Sequence, residues 1–265
     1  MRGGRAADFG YNRNQIMTSE TSGDVPTPHG SVPIQAFLEL LRGRRSVRSG
    51  FLKDAPVSEE HVEQILEAAR WAPSAGNSQP WEFLVIRDAE TREKIVEIYK
   101  SQMRDKLEIE QVTRGQRSFV DSGIDFRHAP VQVLVLGDPR TNDAYPMRTK
   151  LDKWEAQYYS SLANCVVQML LAAEALGLSS SYISDVASPY FSVMLKSLLG
   201  IPEPLQIYHL LPIGFAKRSP TIRHPRRPLA EMVHYERYDP SKFRGEAELK
   251  DFMMKMSIRG HEYRW

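Results

Sequence analysis

Residues 73–86 read Pro-Ser-Ala-Gly-Asn-Ser-Gln-Pro-Trp-Glu-Phe-Leu-Val-Ile, and within this stretch the chain stops a helix, crosses a polar loop and enters a strand. Pro73 cannot continue a helix, because it lacks an N–H and its ring clashes with the preceding turn. Trp81 to Ile86 is short, aromatic and β-branched, which suits a buried strand. Upstream, Ser58 with Glu59 and Glu60 marks a helix start, and Val62, Ile65, Leu66 and Ala69 share one of its faces. An earlier helix begins at a Ser31 cap, carries Ile34, Phe37, Leu38 and Leu41 at helical spacing, and ends at Gly43. Downstream, a helix near 90–106 precedes a charged stretch, 107–128, without a persistent apolar face, which reads as a lid or excursion. Val131 to Leu136 predicts a second buried strand. From Leu151 to Leu176, Trp154, Tyr158, Leu162, Cys165, Met169, Ala172 and Leu176 recur at three- and four-residue steps, predicting the longest and most central helix, stopped by Gly177. Ser179 to Ser184 suggests a short strand, Ser188 and Pro189 open a helix that ends at Gly200, and Leu205 to Phe215 is the last strong strand. Helices and strands interleave without a βαβ rhythm, so the fold class is α+β.

The chain has 265 residues, 42% of them apolar, enough for one large domain with a substantial core. Fibrous and wholly disordered classes are excluded. Thirty-five Lys and Arg against 33 Asp and Glu leave a net charge of +2, too near balance for a dedicated polyanion binder, so no nucleic-acid partner is expected. One cysteine, Cys165, rules out an intramolecular disulfide and a multi-cysteine metal site. No apolar run nears the ~20 residues of a membrane span. Residues 1–30 are rich in Gly, Asn, Ser, Thr and Pro, and read as a mobile arm with no secretory h-region, which makes the cytoplasm the expected compartment.

Two clusters could carry chemistry. Arg44-Arg45-Ser46-Val47-Arg48 sets three guanidiniums and a hydroxyl in five residues directly after a helix, an arrangement suited to a phosphate, although a solvated basic turn has the same composition. His224 to Arg227 is a second basic cluster that could close on the same anion. The loop 74–80 offers amide and hydroxyl groups able to bond the edge of a flat heterocycle, or it is an ordinary polar loop. Cys165 falls on the apolar stripe and reads as core rather than nucleophile. The seven histidines show no metal-ligand spacing, and His209 reads as a core residue. Trp154, Tyr158 and Tyr159 could wall a ligand or simply pack.

Arg44-Arg45-Ser46-Val47-Arg48, then Ala72-Pro73-Ser74-Ala75-Gly76-Asn77-Ser78-Gln79-Pro80-Trp81, then Ala172 to Ser184, then Leu211 to Phe215 with Arg226-Arg227-Pro228-Leu229, together resemble the nitroreductase family of FMN-dependent oxidoreductases, in that order and over roughly residues 34–238. The resemblance implies a three-layer α+β fold with a central mixed sheet flanked by helices. It divides the chain into an arm (1–30), an FMN-binding domain (31–240) and a C-terminal extension (241–265). It further implies that Arg44, Arg45 and Ser46 hold the FMN phosphate with Arg226, and that Arg48 lies toward the pyrimidine edge of the flavin. Pro73, Ser74 and Asn77 would line the ribityl chain or ring edge, and Ser184 would face flavin N5 as the catalytic position. No metal is implied.

The activity implied is transfer of electrons from NADH or NADPH, through FMN, to a small electron-poor aromatic, nitro or quinone substrate by a ping-pong mechanism, in a homodimer whose flavins are clamped by both chains. Ser184-Asp185-Val186 stands where nitroreductases proper often carry an acidic residue and a glycine, which resembles the flavin dehalogenase and flavin-cleaving branches instead. The lid stretch carries Arg104, Lys106, Glu108, Glu110, Arg114 and Arg117, enough charge to read an ionic substrate or merely to solvate a helix face. A non-catalytic flavin- or nucleic-acid-binding protein built on the two basic clusters is the alternative of another class.

Overall fold

A computed structural model describes residues 32–114, 124–152, 154–217 and 226–256. The expected arm, the Ser31 cap, Arg117, His224 and the end of the tail lie outside the described residues, as do the side chains of Glu110, Arg114 and Trp154. By its internal contacts the chain divides into two units, Met1–Leu38 and Glu39–Trp265, and the sheet, both cores and every candidate site residue belong to the second. The helices are α1 (Ile34–Gly43), α2 (Glu59–Arg70), α3 (Ala89–Arg114), α4 (Met147–Asp152), α5 (Trp154–Ala175), α6 (Pro189–Leu199) and α7 (Glu246–Met256); the strands are β1 (Trp81–Ile86), β2 (Val131–Gly137), β3 (Ser179–Ser180) and β4 (Gln206–Gly214).

The local signals explain these elements. Ser58 caps α2 by accepting from His61 N at 3.1 Å, a contact worth about 1 kcal/mol. Gly200 ends α6 at φ 65°, a left-handed cap that glycine adopts without strain. α3 runs to Arg114, beyond the expected end near 106 and longer than α5, because helix-forming Lys, Leu, Glu and Ile continue there without an apolar face. The rest of the supposed excursion is partly core: Phe126 is fully buried and meets Tyr99 edge-on, ring centroids 5.4 Å apart. The expected strand at 179–184 shrinks to Ser179–Ser180 and a bridge from Ile183 to Leu210. No residue of α1 is buried, so its apolar stripe does not contribute to the core.

The sheet order is β1-β2-β4-β3, with all three ladders antiparallel; a parallel bridge joins Ser46 to Ser180. Helices cover both faces, giving three layers. β2 alternates between them: Val131, Val133 and Val135 pack with α2 and α5, and Leu134 and Leu136 with α3 and α6. Burial on both faces is why β2 reads as an unbroken apolar run. Gln132 is buried in that run, and neither of its amide atoms has a hydrogen-bond partner.

β4 breaks its register opposite Val135 and Leu136, which pair with His209 and Ile207, leaving Tyr208 as a surplus residue. A bulge re-aims side chains. Here it brings the Tyr208 and His209 rings face to face at 3.9 Å, with Tyr182 stacked on His209 at 4.8 Å. Among the described residues no helix is long and apolar enough to cross a membrane, and no group of His, Cys, Asp and Glu could hold a metal ion.

Candidate functional site

As α1 ends, Arg44 N still bonds Leu40 O at 3.0 Å, and the next residues straighten beside β3, where Val47 N bonds Ser180 O at 3.0 Å. The basic motif is thus fixed as an extended strip along the sheet edge. It lies against the C-terminal end of α5, where a Cβ on Gly43 would stand 3.2 Å from Glu174 Oε1. Burial is the first cause pulling the Arg44 guanidinium below its ordinary pKa. The positive charges of Arg226 and Arg45 act the same way, while Glu174 and Tyr182 oppose them. Arg44 therefore feels the charge of Arg226, 182 positions later in the sequence. Arg44 Nη1 donates to Ser46 Oγ at 3.4 Å, and Arg45 Nη1 to Arg42 O at 2.8 Å. Arg48 holds its place through its carbonyl, which accepts from Asp125 N at 3.0 Å.

Ser184 follows the Ile183 bridge and is exposed between buried Ile183 and Val186, its hydroxyl making no cap bond to the turn it opens. Its neighbour Asp185 pairs with Lys106 of α3 at 2.7 Å, and Ser188 accepts from Gln102 of the same helix. α3 therefore ties down the turn that carries Ser184. Of the charged lid residues, Lys106 alone among the described ones meets this turn.

Pro73, Ser74 and Asn77 stand elsewhere. Their loop contains a 3-10 turn, Ala75–Asn77, with Gly76, Asn77 and Gln79 at φ 57°, 53° and 44°. Ser74 Oγ accepts from Gln79 N at 3.0 Å, Ser161 Oγ from Ala75 N at 3.1 Å, and Asn164 Nδ2 donates to Pro73 O at 3.0 Å. The loop and α5 line a shallow cavity of ≈ 290 Å³, with Gln157 and Ser160 on the helix side. From Asn164 and Ser161 to Glu174 is ten to thirteen residues of α5, about 15–20 Å. One chain thus places the two groups of expected residues at separate stations along one helix, and does not gather them all in one pocket.

Several residues here carry no sequence signal of their own. Tyr145 bonds the loop from about 70 positions away, Ser161 and Asn164 hide in the helical pattern, and Glu174 is one acid among many. Cys165 is buried, and burial pushes its thiol up to about 12, so it stays protonated. His209 is half-buried rather than core, its Nδ1 enclosed without a partner, and burial lowers its pKa.

A guanidinium strip beside an edge strand, a constrained polar loop on a central helix and a covered two-faced sheet together define the class. The nitroreductase family model matches residues 41–215, and the chain belongs to that family. Among individual relatives, a protein of Archaeoglobus fulgidus whose name marks its NADH dehydrogenase/NAD(P)H nitroreductase activity as provisional is 32% identical over 184 residues, 69% of this chain and 87% of its own. The iodotyrosine deiodinase 1 of Mus musculus is 26% identical over 75% of this chain and 68% of its own. The solved structure of an FMN-dependent nitroreductase from Clostridium difficile superposes with a TM-score of 0.56 at 21% identity, covering 76% of this chain and 99% of that one; it shows the same fold.

Proposed function

We propose that the protein is an FMN-dependent oxidoreductase that takes electrons from NADH or NADPH and delivers them to a small electron-poor aromatic, nitro or quinone acceptor. The observation that carries this reading is the Arg44–Arg45–Ser46 strip laid along the edge strand beside Ser180, where partly buried Arg44 feels the positive charges of Arg226 and Arg45 and is opposed by Glu174 and Tyr182. Like charges are gathered at a cost unless an anion answers them, and a phosphate is answered best by planar guanidiniums and a hydroxyl. Ser46, held beside Ser180, supplies the hydroxyl. The residues fit a flavin mononucleotide, as do the names of the family's FMN-dependent members.

When bound, FMN supplies two-electron transfer between a nicotinamide and the acceptor, which visit the cleft in turn. The chain's own residues then bind and orient. Arg44, Arg45, Ser46 and Arg226 hold the phosphate. Arg48 would set a fixed positive charge toward the pyrimidine edge of a bound flavin, where negative charge develops. Ser184 offers an uncommitted hydroxyl at the ring, and Pro73, Ser74 and Asn77 close over it. Because these last three stand about 15–20 Å along α5 from the guanidiniums, they are assigned to the flavin of a second copy, in a homodimer. Tyr159 and Val167, 47% and 53% exposed on α5, fit such an interface.

Ser184 and the deiodinase relatives favour a second reading, reductive dehalogenation of a halogenated phenol. One experiment addresses both: anaerobic reduction of the purified yellow protein with NADH or NADPH, then mixing with nitroaromatics, quinones and halophenols. The acceptor class that reoxidises the flavin fastest names the reaction. A colourless protein that ignores added FMN overturns the reading.

A further inference from the structure

We propose that Tyr145 is a positioning residue for the loop 73–79, holding it in the shape its ligand needs before the ligand arrives. The proposal rests on the reading that Pro73, Ser74 and Asn77 contact the flavin. Tyr145 follows the 3-10 turn Pro139–Ala144, with its N bonded to Asn142 O at 3.2 Å. Its hydroxyl lies 2.8 Å from Ala75 O and 2.9 Å from Ser78 Oγ. A phenol has one proton, and the carbonyl can only accept; so Tyr145 donates to Ala75 O and receives the Ser78 hydroxyl proton. Its ring fills the space beside Gly76, where a Cβ would come within 3.1 Å of Cε1. The same turn begins at Asp138, whose N bonds Pro80 O at 2.7 Å, so the loop is also gripped at its far end.

The loop needs outside restraint. Gly76, Asn77 and Gln79 are all left-handed, and for the latter two that conformation is strained. The bonds from Ser74 to Gln79 N and Asn77 N are internal, and would travel with the loop if it swung as a body. Besides the grip on Pro80, ties that fix it to the rest of the fold come from Ser161, Asn164 and Tyr145. Yet Gly76, Asn77 and Gln79 are exposed and bury nothing in the core. Such definition in a surface loop serves binding, since a loop ordered beforehand does not charge its ordering entropy against the ligand.

The test is Tyr145→Phe, which keeps the ring on Gly76 and removes both hydrogen bonds. In the apoprotein, amide hydrogen exchange at 75–79 is expected to accelerate at least tenfold while the strands keep their protection. The FMN dissociation constant is expected to rise about tenfold, and the visible absorption band of bound FMN to shift. Ser78→Ala, losing one bond, is expected to fall between, and gives the same information if Tyr145→Phe does not fold. Faster loop exchange with unchanged FMN affinity and spectrum, while Asn77→Ala does weaken FMN, overturns the proposal and leaves the flavin reading standing. If Asn77→Ala also leaves FMN affinity unchanged, the loop does not touch the flavin, and the proposal falls together with the loop's assigned part in the flavin site.

Discussion

The guanidinium strip and the polar loop are built on opposite plans. At the strip, partly buried Arg44 is surrounded by two further positive charges and opposed by Glu174, and its bond to Ser46 is long at 3.4 Å. At the loop, Ser74, Ala75, Ser78 and Gln79 each have a hydrogen-bond partner at 3.1 Å or less, several from distant parts of the chain. At the strip positive charges press on one another around Arg44; at the loop the hydrogen bonds are already made. On the proposed reading, affinity at the strip comes from neutralising charge, and affinity at the loop from order already in place.

The sharpest separation of the two plans is Arg44→Ala. Retention of FMN is expected to weaken by roughly 2 to 5 kcal/mol, measured by fluorescence titration, while the apoprotein's melting temperature holds or rises because like charges have been thinned. An apoprotein that melts clearly lower would mean that the strip is complete in itself, and the contrast would fail. Next comes Gly137→Ala, beneath α5, the helix both groups of residues lie against: the added methyl collides with Tyr158 and Leu162. A loss on the order of 3 kcal/mol in denaturant unfolding is expected, equal with and without FMN. Ser161→Ala strips the acceptor from Ala75 N and should cost about 1 kcal/mol of apoprotein stability, together with a local rise in loop exchange; a loss spread over the whole protein would place Ser161 in the core's service instead.

The smallest effect concerns pH. Burial depresses the His209 pKa in the folded state, so below the unfolded value near 6.5 the unfolded chain takes up a proton that the folded chain refuses. Stability should therefore fall as pH drops from about 6.5 toward the folded value, and be flat above it. His209→Phe should flatten the melting-temperature profile in that window, and a profile unchanged by the substitution would assign the acid sensitivity elsewhere.

Much of this architecture can be read from sequence because the strands are short apolar runs between strong punctuation. Trp81 and Ile86 bound β1 where the Pro80 stop and the aromatic run put them, and Ser58 and Gly200 cap their helices as their residue types demand. The far end of α3 escapes because its last turns bury little: Ile109 and Val112 are 61% and 85% exposed, so no apolar period marks them. The strip is legible because Arg44, Arg45 and Arg48 stand within five residues, whereas the nearness of Arg226 to Arg44 is made by the fold. The loop is only half legible, since its anchors at Tyr145, Ser161 and Asn164 meet it through folding, and nothing in a tyrosine after a polar turn announces a partner some 70 residues earlier. The separation of the two groups along α5 is likewise a length, not a motif.

The surplus Tyr208 does more than pair two rings. A strand's side chains keep strict time, one to each face, and one added residue shifts that rhythm by half a beat. Before Tyr208, Ile207 packs toward α3 and α6; after it, Leu211 and Ile213 pack toward α2 and α5. Were the ladder regular through Tyr208, that residue would stand opposite Leu136, and Ile207 and everything before it in β4 would turn to the opposite layer. The strand can thus obey two hydrophobic layers whose patterns are out of step, and that single residue is the syncopation reconciling them.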